Sequence, residues 1–113
     1  MSKRGEGAGT TLSYNAALTL RAMAQGHGYG FEIMRAARLR SGTVYPLLRR
    51  LEKGGLVASR WEDEVHAHED GRPRRRYYEV TPVGERALAV AVGRIADQLR
   101  LFGGGEAERP ASA

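Results

Sequence analysis

The run Ser41–Lys53 (SGTVYPLLRRLEK) narrows what this chain can fold into more than any other segment. At about 100° per residue, Val44, Leu47, Leu48 and Leu51 gather on one side of a helix. Gly42, Pro46, Arg49 and Lys53 lie opposite, with Tyr45 and Arg50 on the flanks. Leucines can therefore anchor the helix while its other side stays basic. Ser41 reads as the N-cap, and Gly54-Gly55 as the stop, one glycine being ready for the left-handed position after the helix. Pro46 has no N–H, and its ring is tolerated only near a helix start. With Ser41 as cap, the helix is expected to begin irregularly.

The segments before it are helical as well. Leu12, Ala16, Leu20, Met23 and Ala24 recur at three- and four-residue steps, with Ser13 or Thr11 as cap and Gly26 with Gly28 as end. A short second helix, YGFEIMRAA, is expected to bury Phe31, Ile33, Met34 and Ala37. Arg38-Leu39-Arg40 makes a tight connection to Ser41.

Behind the basic helix, LVASRW (56–61) and RRYYEVT (75–81) read as antiparallel strands. Alternation puts Arg76, Tyr78 and Val80 on one face, so Tyr78 and Val80 are core candidates, and Arg75, Tyr77 and Glu79 on the other. The intervening EDEVHAHEDGRPR is too long for a tight turn and reads as a flexible loop. Trp61 is expected to cover the base of the hairpin. Thr81-Pro82 opens a last helix, threonine as N-cap and proline at the first helical position. Along it Leu88, Val92, Ile95, Leu99 and Phe102 alternate steps of four and three, a coiled-coil-like seam.

The expected division is a flexible arm at 1–10, a winged helix-turn-helix at 11–81, a dimerisation helix at 82–102 and a disordered tail at 103–113. The fold class is mainly α with a small antiparallel β-hairpin. At 113 residues, one domain of ordinary size is expected.

Composition removes several function classes. There is no cysteine, which excludes disulfides, thiol chemistry and thiolate metal sites. No apolar run approaches a membrane span and the N-terminus lacks an apolar signal region, so a cytoplasmic protein with no membrane partner is expected. No catalytic grouping is visible and no cofactor is implied; His27, between glycines, reads as structural. The formal charge of +5 favours a polyanionic partner. Of 18 basic residues only Lys3 and Lys53 are lysines, and arginine suits bidentate contacts to phosphate and guanine.

Each basic segment taken alone is an ordinary solvated surface; their order gives them a joint meaning. A recognition helix needs one face in the core and another that can enter a groove about 12 Å wide. Ser41, Gly42 and Thr43 are small enough for close approach, and backbone N–H groups there favour a phosphate. Tyr45, Pro46, Arg49, Arg50 and Lys53 complete the face expected to meet double-stranded DNA, with Arg38 and Arg40 at its rim. From Arg38 to Lys53, five basic residues face one acid, Glu52. Arg72, Arg74, Arg75 and Arg76 form a wing tip for the sugar-phosphate backbone or the minor groove.

Against this, residues 62–70 hold five acids with His66 and His68. They read as a solvated loop that shields the arginines when DNA is absent, and no metal site is assigned. The seam on the last helix, with Leu12, is read as a homodimer interface. The rival reading is a winged-helix module that docks an acidic protein. RNA is disfavoured, because single-strand readers display stacking aromatics and the basic helix offers only Tyr45.

Over about residues 11–102 the chain resembles the PadR-like family of winged-helix transcriptional regulators. The resemblance rests on LTLRAMAQGHGYGFEIMRAA, SGTVYPLLRRLEKGGLV and GRPRRRYYEVTPVGERAL. It points to the compact subgroup without a separate C-terminal domain. It implies a homodimer built by the first and last helices, and a pseudo-palindromic operator. It also implies repression relieved by a small-molecule effector, whose identity is unknown here, or by a stress signal. Ser41–Lys53 would then read DNA and Arg72–Arg76 would form the wing. The chain departs from the family in its long acidic wing loop. It also lacks a tryptophan on the last helix, which leaves a pore for planar drugs unsupported.

Overall fold

The computed structural model describes residues 11–103. Their order is α1 (Tyr14–Ala24), α2 (Gly30–Ala37), α3 (Ser41–Lys53), β1 (Val57–Trp61), α4 (Glu64–Glu69), β2 (Arg76–Val80) and α5 (Pro82–Leu101). The expected arm at 1–10 and all of the expected tail at 103–113 except Gly103 lie outside the described residues. β1 and β2 pair antiparallel, Val57 opposite Val80 and Trp61 opposite Arg76. This is the expected winged helix-turn-helix, mainly helical, with a long C-terminal helix.

The helix ends are set by local hydrogen bonds. Ser13 caps α1 by accepting the Ala16 N–H at 3.1 Å. Thr81 caps α5, accepting the Gly84 N–H at 3.1 Å and donating its hydroxyl to the Gly55 carbonyl at 2.7 Å. At the end of α3, Gly55 takes φ +82°, the Leu56 N–H reaches the Leu51 carbonyl and the Gly55 N–H reaches that of Glu52. The same closing motif ends α2, but there Arg38 occupies the left-handed position at φ 60°.

Two sequence-based expectations about α3 are corrected. Ser41 is the first helical residue and Arg40 the cap, without a side-chain bond. Pro46 sits inside a continuous helix, not at an irregular start. The backbone amides of Thr43 and Val44 both bond to the Arg40 carbonyl, so the first turn closes regularly.

The core forms where α1, α2 and α3 converge: Leu20, Ile33, Val44 and Leu48 are fully buried. Leu88 and Ala91 of α5 close it from the side, and Tyr78 and Val80 pack at its edge as their alternation predicted. In α2 the expected buried set was wrong in one member. Phe31 is 53 % exposed, while Gly30, Ile33 and Ala37 turn inward. A methyl built on Gly30 would lie 2.5 Å from Tyr45 Cε1 and 2.7 Å from its Cζ. The Tyr45 ring thus needs Gly30 on the inner side, which rotates Phe31 out.

The wing loop is also more ordered than expected. Residues Glu64–Glu69 form α4, capped by the Asp63 carboxylate accepting the Val65 N–H at 3.1 Å, with Ala67 buried. Among the described residues, no helix is long and apolar enough to cross a membrane.

Candidate nucleic-acid interface

The leucine face of α3 fixes which of its side chains can meet a partner. Val44, Leu47, Leu48 and Leu51 are buried, so Ser41, Gly42, Tyr45, Arg49, Arg50 and Lys53 stand exposed, with Thr43 and Pro46 half-buried. Arg38 and Arg40 are exposed at the N-terminal rim. Every α3 residue that the sequence assigned to the interface lies on one continuous side.

The wing is held to α3 through a polar network. Glu52 accepts the Ser59 hydroxyl at 2.6 Å and pairs with Arg76 at 3.5 Å, while Arg76 Nε donates to Ser59 Oγ at 3.1 Å. A third contact comes from the loop before α2, where the Tyr78 N–H bonds to the Gly28 carbonyl at 2.8 Å and Tyr29 bridges to Tyr77.

The four wing arginines, alike in sequence, are not alike in place. Arg72 is 21 % exposed and forks onto both oxygens of Glu62, at 2.6 and 2.7 Å, with Asp70 at 3.2 Å. Two carboxylates thus hold it within the loop. Arg76 is engaged by Glu52 and Ser59. Arg74 donates Nε to the Glu62 carbonyl at 3.1 Å and lies over the Trp61 ring. The Arg75 guanidinium stacks on Tyr29, 4.1 Å from the ring centroid. Among the described residues, neither Arg74 nor Arg75 has a carboxylate ion-pair partner.

Trp61 belongs to this end of the wing and not, as expected, to the hairpin base. It faces Arg76 at the distal end of the ladder, is 52 % exposed and lies against the guanidiniums of Arg74 and Arg76, at 5.4 and 5.3 Å. Between α3 and the wing lies a cleft of about 400 Å³ whose walls include Tyr29, Phe31, Tyr45, Trp61 and Arg75. Tyr29 and Phe31 were missed by sequence reasoning; only their place beside the helix-turn-helix glycines could have flagged them.

Glu62 is the other residue the sequence did not single out. It is 5 % exposed, and the Arg72 guanidinium bonded to it lowers its carboxyl to about 2. His66 lies 3.8 Å from Glu62 and 3.9 Å from Asp70. Among the described residues, no group of three or more His, Asp and Glu side chains is arranged to hold a metal ion.

The opposite side of the molecule carries the α5 seam. Leu12 and Leu88, assigned to a dimer interface from the sequence, are already buried in this chain's own core. Val92, Leu99 and Phe102 remain exposed, Phe102 to 88 %, and Ile95 is half-buried. They continue into a groove of about 320 Å³ between α1 and α5, shared with Tyr14 and Leu18.

Comparison with known proteins agrees with this geometry. The PadR-like transcriptional regulator family model matches residues 19–90. A PadR family transcription regulator from hypervirulent Clostridium difficile superposes with a TM-score of 0.66 at 26 % identity, over 80 % of this chain and 98 % of that one. The PcaV regulator of Streptomyces coelicolor, solved with its natural ligand, gives 0.70 at 20 % identity over 91 % of this chain. A MarR family transcription regulator gives 0.64 at 19 % identity over 87 %. The chain spans only 65 % and 60 % of the latter two proteins, and at such identities they share the fold alone. No curated protein matches the sequence. With that family model matched over residues 19–90, the chain belongs to the PadR-like family of transcriptional regulators.

Proposed function

We propose that this regulator binds a pseudo-palindromic operator as a homodimer and represses transcription from it. Ser41–Lys53 would lie in the major groove and the wing on the flanking backbone. The observation that carries the reading is the division of α3: four buried aliphatic residues hold it, and its exposed side keeps Tyr45, Arg49, Arg50 and Lys53 open to a partner. Twofold pairing through Val92, Ile95, Leu99 and Phe102 supports two such helices about 34–36 Å apart, one DNA turn. Of the wing residues, Arg74 and Arg75 are the phosphate ligands, and Arg72 and Arg76 hold the wing in shape. Such work places the protein in the cytoplasm. PcaV, of the same fold, was solved with a natural ligand, which supports a small-molecule effector here too.

The test is a fluorescence-anisotropy titration on the promoter upstream of the protein's own gene, repeated across salt. Each phosphate contact contributes a slope of about −0.9 in log K against log salt, about eightfold in affinity near 0.1 M. Arg49→Ala/Lys53→Ala should lower the slope and weaken binding by about tenfold or more. Thr43 or Tyr45 substitutions should instead change which sequences are preferred. Unchanged affinity in the double variant would refute the assigned face. Binding that tracks acidic proteins and ignores duplex DNA would favour a protein-docking module.

A further inference from the structure

We infer that Glu62 is the positioning residue of the wing, the carboxylate that ties the two ends of residues 62–75 together so that Arg74 and Arg75 reach the DNA backbone. The inference rests on the proposed DNA-binding reading and deepens it. Glu62 follows the last residue of β1, and nearly all its polar atoms are committed to the far side of the loop. Its N–H donates to the Arg75 carbonyl at 2.7 Å. Its Oε1 accepts from Arg72 Nη1 at 2.6 Å and from the Arg75 N–H at 3.1 Å, and its Oε2 accepts from Arg72 Nη2 at 2.7 Å. Its carbonyl accepts from Arg74 Nε at 3.1 Å. One nearly buried residue thus fixes Arg72, Arg74 and Arg75, and closes the loop that carries α4. Without it, a long loop would have to order its arginines on the DNA at an entropic cost.

This role separates from a purely electrostatic one by sign. Glu62 is an anion beside a DNA-facing surface, so charge alone predicts that removing it strengthens binding. Positioning predicts the reverse. Glu64, exposed at the start of α4, has no part in the clamp and serves as the charge control.

The experiment compares Glu62→Gln with Glu64→Gln in duplex affinity and salt slope, and follows amide exchange at Arg75. Glu64→Gln should bind as tightly as the parent or more so. Glu62→Gln should bind about eightfold weaker or more near 0.1 M salt, with a shallower slope from the lost wing contacts and faster Arg75 exchange. Glu62→Gln/Arg72→Gln, which leaves no buried charge unpaired and keeps the parent net charge, should show the same weakening even if the single variant folds poorly. Equal or tighter binding in either folded Glu62 variant, with Arg75 exchange still slow, would overturn the role. If the parent itself ignores duplex DNA, the DNA-binding reading fails separately, and slow Arg75 exchange in the Glu62 variants would still reject the clamp.

Discussion

Gly84 and Gly93 lie on the same helix, and alanine at the two should shift stability in opposite directions. A methyl on Gly84 would overlap the Leu56 carbonyl oxygen, 3.0 Å from its carbon and 2.8 Å from Val80 Cγ1. Carbon atoms in contact need about 3.5–4.0 Å, so α5 must move away from Leu56 and from Val80 of β2 by roughly 1 Å. That movement strains the Thr81 N–H bond to the Leu56 carbonyl, 3.0 Å, and the Thr81 hydroxyl bond to Gly55. Overpacking of this kind costs about 1–3 kcal/mol, and a lost hydrogen bond about 1 more. The better helix propensity of alanine returns about 0.8–1 kcal/mol. The net expectation for Gly84→Ala is a loss of about 1–3 kcal/mol, or roughly 5–25 °C in Tm for a domain of this size. Around Gly93 nothing lies within 4 Å, so Gly93→Ala should gain about 0.5–1 kcal/mol. Thermal and urea unfolding at one protein concentration measures both, since pairing would make Tm concentration-dependent. If the two substitutions move stability the same way, the close seating of α5 on Leu56 and Val80 is wrong.

Three further outcomes follow from the same structure. Val92→Asp or Leu99→Asp should leave the melting of the protomer little changed and convert a dimer to a monomer in light scattering; a dimer that persists would place pairing elsewhere. Gly30→Ala should displace the Tyr45 ring and alter operator preference more than overall affinity, read by binding selection on randomised duplexes. Glu62 has a folded-state carboxyl value of about 2 against its ordinary 4.5. Its stabilisation is therefore complete above about 4.5 and lost as pH falls through about 2. Denaturation across that window should show a steeper decline in the parent than in Glu62→Gln; superimposable profiles would deny the ion pair with Arg72.

Much of this arrangement was legible because side chains of one kind recur at a fixed step. The leucine side of α3, the Thr81-Pro82 start of α5 and the Tyr78–Val80 alternation each express a period or a capping rule, and each stands where its pattern put it. What escaped depends on contacts distant in sequence. α4 is only six residues long, too short to hold by propensity, and exists because Asp63 caps it and Ala67 finds a buried seat. Phe31 and Ile33 were equally apolar on the page, and the ring of Tyr45 against Gly30 decided between them. Ser41 had the chemistry of a cap, yet the left-handed turn at Arg38 lets Arg40 take that place. The wing arginines formed a uniform run until the carboxylates of Glu52 and Glu62 separated them.

The acids gathered around α4 also bear on how a complex would begin. Residues 62–76 contain five carboxylates and four guanidiniums, a net charge of −1, whereas residues 38–53 carry a net +4. Long-range attraction toward a polyanion therefore acts on the helix and almost not at all on the hairpin. On the proposed reading, a molecule diffusing toward duplex DNA would be turned helix-first, and the hairpin would engage only at short range, through its outer arginines. Added salt should then slow the encounter by screening the helix.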